Sequence, residues 1–304
     1  MYDGIINVYK EKGYTSFDVV ARLRGILNQK KIGHTGTLDP AAEGVLPICL
    51  GTATKVCDLL MDEKKTYVAY VRLGIRTDTL DMEGTVLEER EVSVTREEVE
   101  EILPQFQGEI QQIPPMYSAL KVKGKRLYDL ARQGIEVERK PRTVHIFSLK
   151  LLGFHPDEKI MQLEVTCSKG TYIRTLADDM GERLGCGACL KYLLRTRVGM
   201  FQVDDALKLG EIQALVQDEK PPVLPTDIVF QQYPALTLRK EAVKLCQNGN
   251  PLGVQHVKEH PRSLCKDGIP NYFRLYDEEH CFYAIYEYCP DQRKLQNIKM
   301  FYRE

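Results

Sequence analysis

Residues 160–185 read IMQLEVTCSKGTYIRTLADDMGERLG. The first part alternates apolar and polar residues, which is the period of a half-buried strand. The second part, TLADDMGERLG, has helical spacing and ends at Gly185, a residue suited to a helix C-cap. Working outward, HIFSLKLLGF (145–154) and TYVAYVRLG (66–74) alternate in the same way, and the second is rich in β-branched and aromatic residues. GIINVY (4–9) reads as a strand, and VLPICLG (45–51) as a buried strand or short apolar turn. Ser16 or Asp18 can cap a helix over 18–27, where Val19, Val20, Leu23 and Leu27 fall at helical spacing. Thr95 and Glu98 form a capping box ahead of a helix over 97–106. Strands interspersed with helices, several of them hairpin-like, predict an α+β fold rather than a doubly wound one.

The chain has 304 residues, 43% hydrophobic and 28% charged, within the range of ordinary globular proteins. One or two domains are expected at roughly 100–200 residues each. No apolar run reaches the roughly 18 residues of a membrane span. The start, MYDGIINVYKEKGYTS, lacks the charged and apolar regions of a signal peptide, so the expected compartment is the cytoplasm. The nine cysteines are an odd count, which argues against a disulfide framework. Cys186 and Cys189 form a CxxC, and Cys281 and Cys289 lie near His280, but no second CxxC or HxxxH accompanies the first pair, and metal ligand sets normally number three or four. The expectation is small buried hydrophobes and no metal.

The net charge of −1 means that any phosphate-binding surface must be local. Residues 117–150 hold nine cations (Lys121, Lys123, Lys125, Arg126, Arg132, Arg139, Lys140, Arg142 and Lys150) against Asp129, Glu136 and Glu138, a local excess of six. Such a run is either a solvated face or a phosphate track. Pro221, Pro222 and Pro225 mark a boundary. The boundary divides the chain into 1–232, carrying a basic stretch near 117–145, and a mostly β module over 233–304. Residues 78–84 read as a polar turn.

Chemistry concentrates in GHTGTLDPAAEGVLP (33–47). Gly33, Gly36 and Gly44 permit positive φ or close approach. Pro40 holds Asp39 out of the α region. One carboxylate is thus presented from a stiff loop five residues after His34. It can serve as nucleophile, general base, metal ligand or turn cap, the last being the commonest use. The loop is not a phosphate-binding P-loop, because GK[ST] is missing. Arg174 could pair with a buried carboxylate, although an exposed strand-end cation is the more frequent case. Tyr67, at the start of a strand, fits an apolar core position.

Four segments together resemble the TruB family of bacterial tRNA pseudouridine-55 synthases. They are GHTGTLDPAAEGVLPICLGTATK, RLGIRTDTLDMEG, IPPMYSALKVKGKRLYDLARQGIEVERKPR and CSKGTYIRTLADDMGERLGCGA, in the family's order and at its spacing. The resemblance covers residues 1 to about 230. It implies a mixed, largely antiparallel central sheet flanked by helices, and isomerisation of one uridine in the T arm of tRNA without a cofactor. Asp39 matches the family's catalytic aspartate, Tyr67 the tyrosine that stacks on the target base, and Arg174 the arginine that pairs with the aspartate. His34, Tyr172, Leu193 and Lys10 match substrate-binding positions, Lys10 being the lysine of an N-terminal KPxG segment. Here Glu11 replaces the proline after that lysine. The basic 117–145 stretch resembles the insertion that grips the T arm. QNGNPLG (247–253) and residues 274–302 resemble the family's small PUA-like RNA-binding domain, while 256–271 has no counterpart in it. The implied partner is tRNA, with no guide RNA, no membrane and no obligate protein partner, and monomer is the default. A tRNA-binding folding factor that uses the same surface is the rival or additional role. The related guide-RNA-dependent synthases, which share the catalytic core, are a further alternative.

Overall fold

The structure is a computed structural model that describes residues 1–122, 124–265 and 271–302. A nine-stranded sheet forms its centre. The strands Gly4–Lys10, Glu43–Leu50, Ala188–Val198, Lys65–Leu73, Ile160–Cys167, Arg142–His155 and Gly108–Gln112 lie side by side in that order. Ile32–His34 pairs with Glu43–Leu50, and Phe201–Gln202 pairs with Ala188–Val198. Every pairing is antiparallel except the short ladder between Glu43–Leu50 and Ala188–Val198. The mixed, largely antiparallel sheet that the family resemblance implies is therefore present.

Local sequence explains the helices at its edges. In Ser16–Ile26 the cap is Thr15, not Ser16 or Asp18. The Thr15 hydroxyl accepts from the Asp18 amide at 3.0 Å, and the Asp18 carboxylate accepts from the Thr15 amide at 2.8 Å. Asp18 thus supplies the far half of a capping box, a motif whose loss costs about 1 kcal/mol. Val19, Val20, Leu23 and Leu27 pack under the sheet with Ile6, Ile48 and Leu50. The Thr95–Glu98 capping box is present, but the α-helix covers Arg96–Ile102 and continues as a tighter turn over Leu103–Phe106, where Pro104 interrupts the α pattern. The helix Ile173–Arg183 starts earlier than its apolar spacing suggested, and Gly185 follows it at φ +77°.

The Lys65–Leu73 strand alternates strictly, with Tyr67, Ala69, Val71 and Leu73 turned into one core cluster. Leu176, Ala177 and Met180 of the Ile173–Arg183 helix share that cluster. Glu43–Leu50 is covered on both faces, which is why it reads as a continuous apolar run. A second, five-stranded sheet contains Ala235–Thr237, Tyr272–Tyr276, Phe282–Cys289, Lys294–Met300 and Leu252–Gly253 in that order. Ile285 and Phe301 join a cluster with Ile5, Val45 and Phe230, so this sheet packs against the edge of the first.

Cys186 and Cys189 are buried as expected, whereas Cys281 is exposed and Cys289 half-buried, so the expectation of buried hydrophobes fails for the second pair. The Cys189 thiol lies 3.4 Å from the Met82 sulfur, and the Cys186 thiol points at the Gly187 carbonyl. Among the described residues no group of three or more His, Cys, Asp or Glu is placed to hold a metal ion, and no helix is long and apolar enough to cross a membrane.

Candidate active site

Asp39 lies on the connection between Ile32–His34 and Glu43–Leu50. Its carbonyl accepts from the Ala42 amide at 3.1 Å, so Asp39 to Ala42 form a turn with Pro40 in the second position that proline favours. The carboxylate does not cap this turn. It pairs with Arg174, Oδ2 lying 2.9 Å from Nη2, while the side chain remains 47% exposed.

Arg174 is 6% exposed. It is not a strand-end cation, because the strand stops at Cys167 and a turn through Gly170 (φ +77°) intervenes. The Thr171 hydroxyl donates to the Ser168 carbonyl and closes that turn. Arg174 therefore falls in the first turn of Ile173–Arg183. Gln112 fixes the start of this helix by gripping both sides of Tyr172. Its amide nitrogen donates to the Tyr172 carbonyl at 3.2 Å, and its oxygen accepts from the Tyr172 amide at 3.0 Å. Besides Asp39, the guanidinium reaches the Thr79 carbonyl at 3.0 Å, the Tyr117 carbonyl at 2.8 Å and Asp81 Oδ2 at 3.4 Å. One buried side chain thus ties together the Asp39 loop, the turn at 79–81 and the start of the basic insertion.

Tyr67 is buried in the same core cluster as Leu38, Ile173 and Leu193. Burial pushes its phenol above the usual tyrosine range, against the opposing pull of the nearby Arg195 guanidinium. Tyr172 is half-buried, and its phenol is raised for the same reason. His34 is half-buried at the end of its strand, and its Nδ1 accepts from the Gly36 amide at 3.4 Å. Burial lowers its pKa, so the imidazole stays neutral at pH 7.

Lys10 differs from the substrate-contacting position expected of it. It is fully buried, and its Nζ donates to the carbonyls of Ala42 at 2.6 Å, Glu11 at 3.2 Å and Pro40 at 3.3 Å. Its place is beneath the loop, where it holds the backbone on either side of the turn. The expectation of positive φ holds for Gly36 (+128°) and Gly44 (+107°) but not for Gly33. Gly33 is instead a close-packing position, where an added Cβ would lie 3.1 Å from the Cys57 sulfur.

The basic stretch forms a separate surface. Lys121–Val122 pairs with Lys125–Arg126, and the short helix Leu127–Ala131 follows. Lys121, Lys125, Arg126, Asp129 and Arg132 line a groove of about 650 Å³. Two guanidinium groups lie over the Tyr128 ring, Arg126 at 5.7 Å and Arg132 at 5.6 Å from its centre. Lys123 lies outside the described residues.

Of the residues singled out from the sequence, Asp39 and Arg174 pair, and Tyr67 and Leu193 share a core cluster with Leu38 and Ile173, the chain neighbours of Asp39 and Arg174. Sequence reasoning missed Asp81, Gln112 and Arg195. Asp81 lies in the 78–84 turn, which is dense in carboxylates, so composition offered a signal there. Gln112 offered none.

Comparison with known proteins agrees with this arrangement. Residues 24–173 match the TruB family pseudouridylate synthase N-terminal domain, and residues 174–231 match the tRNA pseudouridylate synthase B C-terminal domain. The chain is 51% identical to a tRNA pseudouridine synthase B of Lachnoclostridium phytofermentans, over 98% of this chain and 99% of that protein. It is 48% identical to the protein of the same name from Alkaliphilus oremlandii, over 82% of each. Among solved structures, a Cbf5-Nop10-Gar1 complex contains a chain that aligns with 98% of this one, at a TM-score of 0.72, 26% identity and 85% coverage of that chain. The fold is thus that of the pseudouridylate synthases. Within that class the chain belongs to the TruB family.

Proposed function

We propose that this protein converts uridine-55 in the T arm of tRNA to pseudouridine, acting alone and without a guide RNA. The observation that carries the reading is the partly exposed Asp39 carboxylate held 2.9 Å from the buried Arg174, next to the buried Tyr67 cluster. The reaction is an isomerisation. The N1–C1′ bond breaks, the base turns, C5 bonds to C1′, and the proton leaving C5 is balanced by one gained at N1. No atom or electron is added, so no cofactor is required.

A uridine folded into the T loop is out of reach of a carboxylate and must be turned out, at a cost of a few kcal/mol. Stacking on an aromatic face such as Tyr67 returns about 1–3 kcal/mol. Asp39 acts as the nucleophile, and Arg174 holds it in place. Tyr67 stays protonated at neutral pH because burial raises it, so it contributes stacking and a hydrogen bond rather than a standing phenolate. His34, Tyr172 and Leu193 shape the pocket around the extruded nucleotide. Lys10 acts beneath the loop. The exposed groove of Lys121, Lys125, Arg126 and Arg132 supplies phosphate contacts to the T arm. The same surface supports an accompanying role in tRNA folding, since gripping and opening the arm does not require catalysis. The module beyond residue 232 serves as a PUA-like RNA-binding domain, and the protein works as a monomer in the cytoplasm.

The test is incubation with an unmodified tRNA transcript, with pseudouridine mapped at single-nucleotide resolution. One modified T-arm uridine is expected, with loss of at least about a thousandfold in rate for Asp39→Asn. An Asp39→Asn protein as active as the wild type would remove Asp39 from the chemistry. Tight binding by a wild type that makes no pseudouridine would leave only the folding role.

A further inference from the structure

A second arginine lies deeper than Arg174. Arg195 is 1% exposed and is among the largest fully buried side chains. A buried guanidinium is normally matched by a carboxylate, because desolvating an unmatched charge is costly. Among the described residues no carboxylate comes within the 4.0 Å ion-pair limit of Arg195. Its donors go to backbone carbonyls: Nε to Val45 at 2.7 Å, Nη2 to Gly36 at 3.4 Å and Nη1 to Thr37 at 3.5 Å.

All three carbonyls belong to the segment that carries Asp39, two before it and one after. The sheet explains how one side chain reaches them. Residue 195 pairs with Gly44 on one side and with Tyr67 on the other. The approach to Gly44 is so close that an added Cβ would lie 2.2 Å from the Arg195 carbonyl oxygen. Lys10 holds the Pro40 and Ala42 carbonyls from its own strand. Two buried cations therefore grip the loop on both sides of Asp39, and neither pairs with its carboxylate.

We infer that Arg195 is a positioning residue for the isomerisation, fixing the Asp39 loop against Tyr67 and so setting the rate in the bound complex rather than the affinity for tRNA. This rests on the reading of Asp39 as the nucleophile. A lysine cannot take over fully, because one nitrogen at the end of a flexible stem does not span the fan of carbonyls that a planar guanidinium covers. A misplacement of about 1 Å is enough to cost a hundredfold in rate.

The test compares wild type, Arg195→Met and Arg195→Lys with a tRNA transcript under single-turnover conditions. Transcript affinity and thermal unfolding are measured alongside. The expected result is a rate about a hundredfold lower for Arg195→Met and about tenfold lower for Arg195→Lys, with affinity within threefold of wild type in both. If Arg195→Met does not fold, Arg195→Lys decides. A folded Arg195→Lys with wild-type rate overturns the inference, as does an Arg195→Met whose rate is unchanged or falls only in step with affinity. Failure of both variants to fold also overturns it, by making Arg195 a structural residue. An inactive wild type overturns the assignment of Asp39 and this inference together, whereas an active wild type with a fully active Arg195→Met overturns this inference alone.

Discussion

The Asp39 loop and the basic insertion are both polar connections between strands of the main sheet, yet they place their cations in opposite ways. The loop is held from beneath by Lys10 and Arg195, both buried, which donate to carbonyls at 36, 37, 40, 42 and 45. The insertion displays Lys121, Lys125, Arg126 and Arg132 on an exposed groove. A buried cation spends its donors on fixed partners and sets geometry. An exposed cation keeps its donors for a partner that arrives, and its attraction is long-ranged but screened by salt. One residue type thus serves placement in one region and capture in the other.

The largest break in this comparison is expected at Arg174, which belongs to both regions through Asp39 and the Tyr117 carbonyl. Arg174→Ala should lower single-turnover rate by about a hundredfold, the scale seen when a positioned charge-stabilising donor is removed. Affinity for tRNA should change by less than about threefold. Arg174→Lys should fall between, because a point charge cannot serve Asp39, Asp81 and two carbonyls together. Rate and affinity falling equally would show that the arginine organises the insertion more than the loop.

A smaller effect, and of the opposite kind, is expected from the exposed groove. Lys125→Ser with Arg126→Ser should weaken tRNA binding by about tenfold at moderate salt. It should also reduce the slope of log affinity against log salt by about 1.4–1.8, the contribution of two phosphate contacts. The rate at saturating tRNA should move much less. An unchanged slope would take this groove out of the RNA interface and leave its charge as a solvated face.

The two regions also differ in what their sequences disclose. The strands around the site were legible because alternation directly reports one buried face, as in Lys65–Leu73. The Asp39 loop was legible as a stiff presentation of one carboxylate, and the insertion as a run of charge. The partners were not. Arg195 stands two residues after Leu193 and hence on the same side of its strand, but only the pairing with Gly44 and Tyr67 brings it under a loop some 150 residues earlier. Asp81 likewise meets Arg174 across 93 residues of sequence. Lys10 was read from its resemblance as a substrate contact. Nothing local to KEKG shows that its ammonium turns inward to the Ala42 carbonyl. Hydrophobic period reports a face, whereas a long polar side chain chooses its acceptor from the whole fold.

That inward turn has a pH signature, the smallest of the expected effects. Burial pushes the Lys10 ammonium down from 10.5 to about 8, against the favourable pull of Glu43 and Asp39. The folded protein then releases this proton near pH 8, while the unfolded chain keeps it until about 10.5. Between those values the unfolded state binds more protons, so this group makes stability rise with pH across that window. Lys65 shifts in the same direction, also to about 8, chiefly through burial, so the total curve combines both groups. Subtracting the curve of Lys10→Met isolates Lys10. Urea midpoints measured from pH 7 to 9.5 should show the wild type gaining on Lys10→Met as pH increases. The neutral amine still carries two N–H donors for the Ala42 and Pro40 carbonyls, so the gain comes from shedding a costly buried charge while the loop stays gripped. A difference that is flat with pH would mean that Lys10 loses its proton at the same pH folded and unfolded, and that the ammonium beneath the loop is solvated like the exposed cations of the insertion.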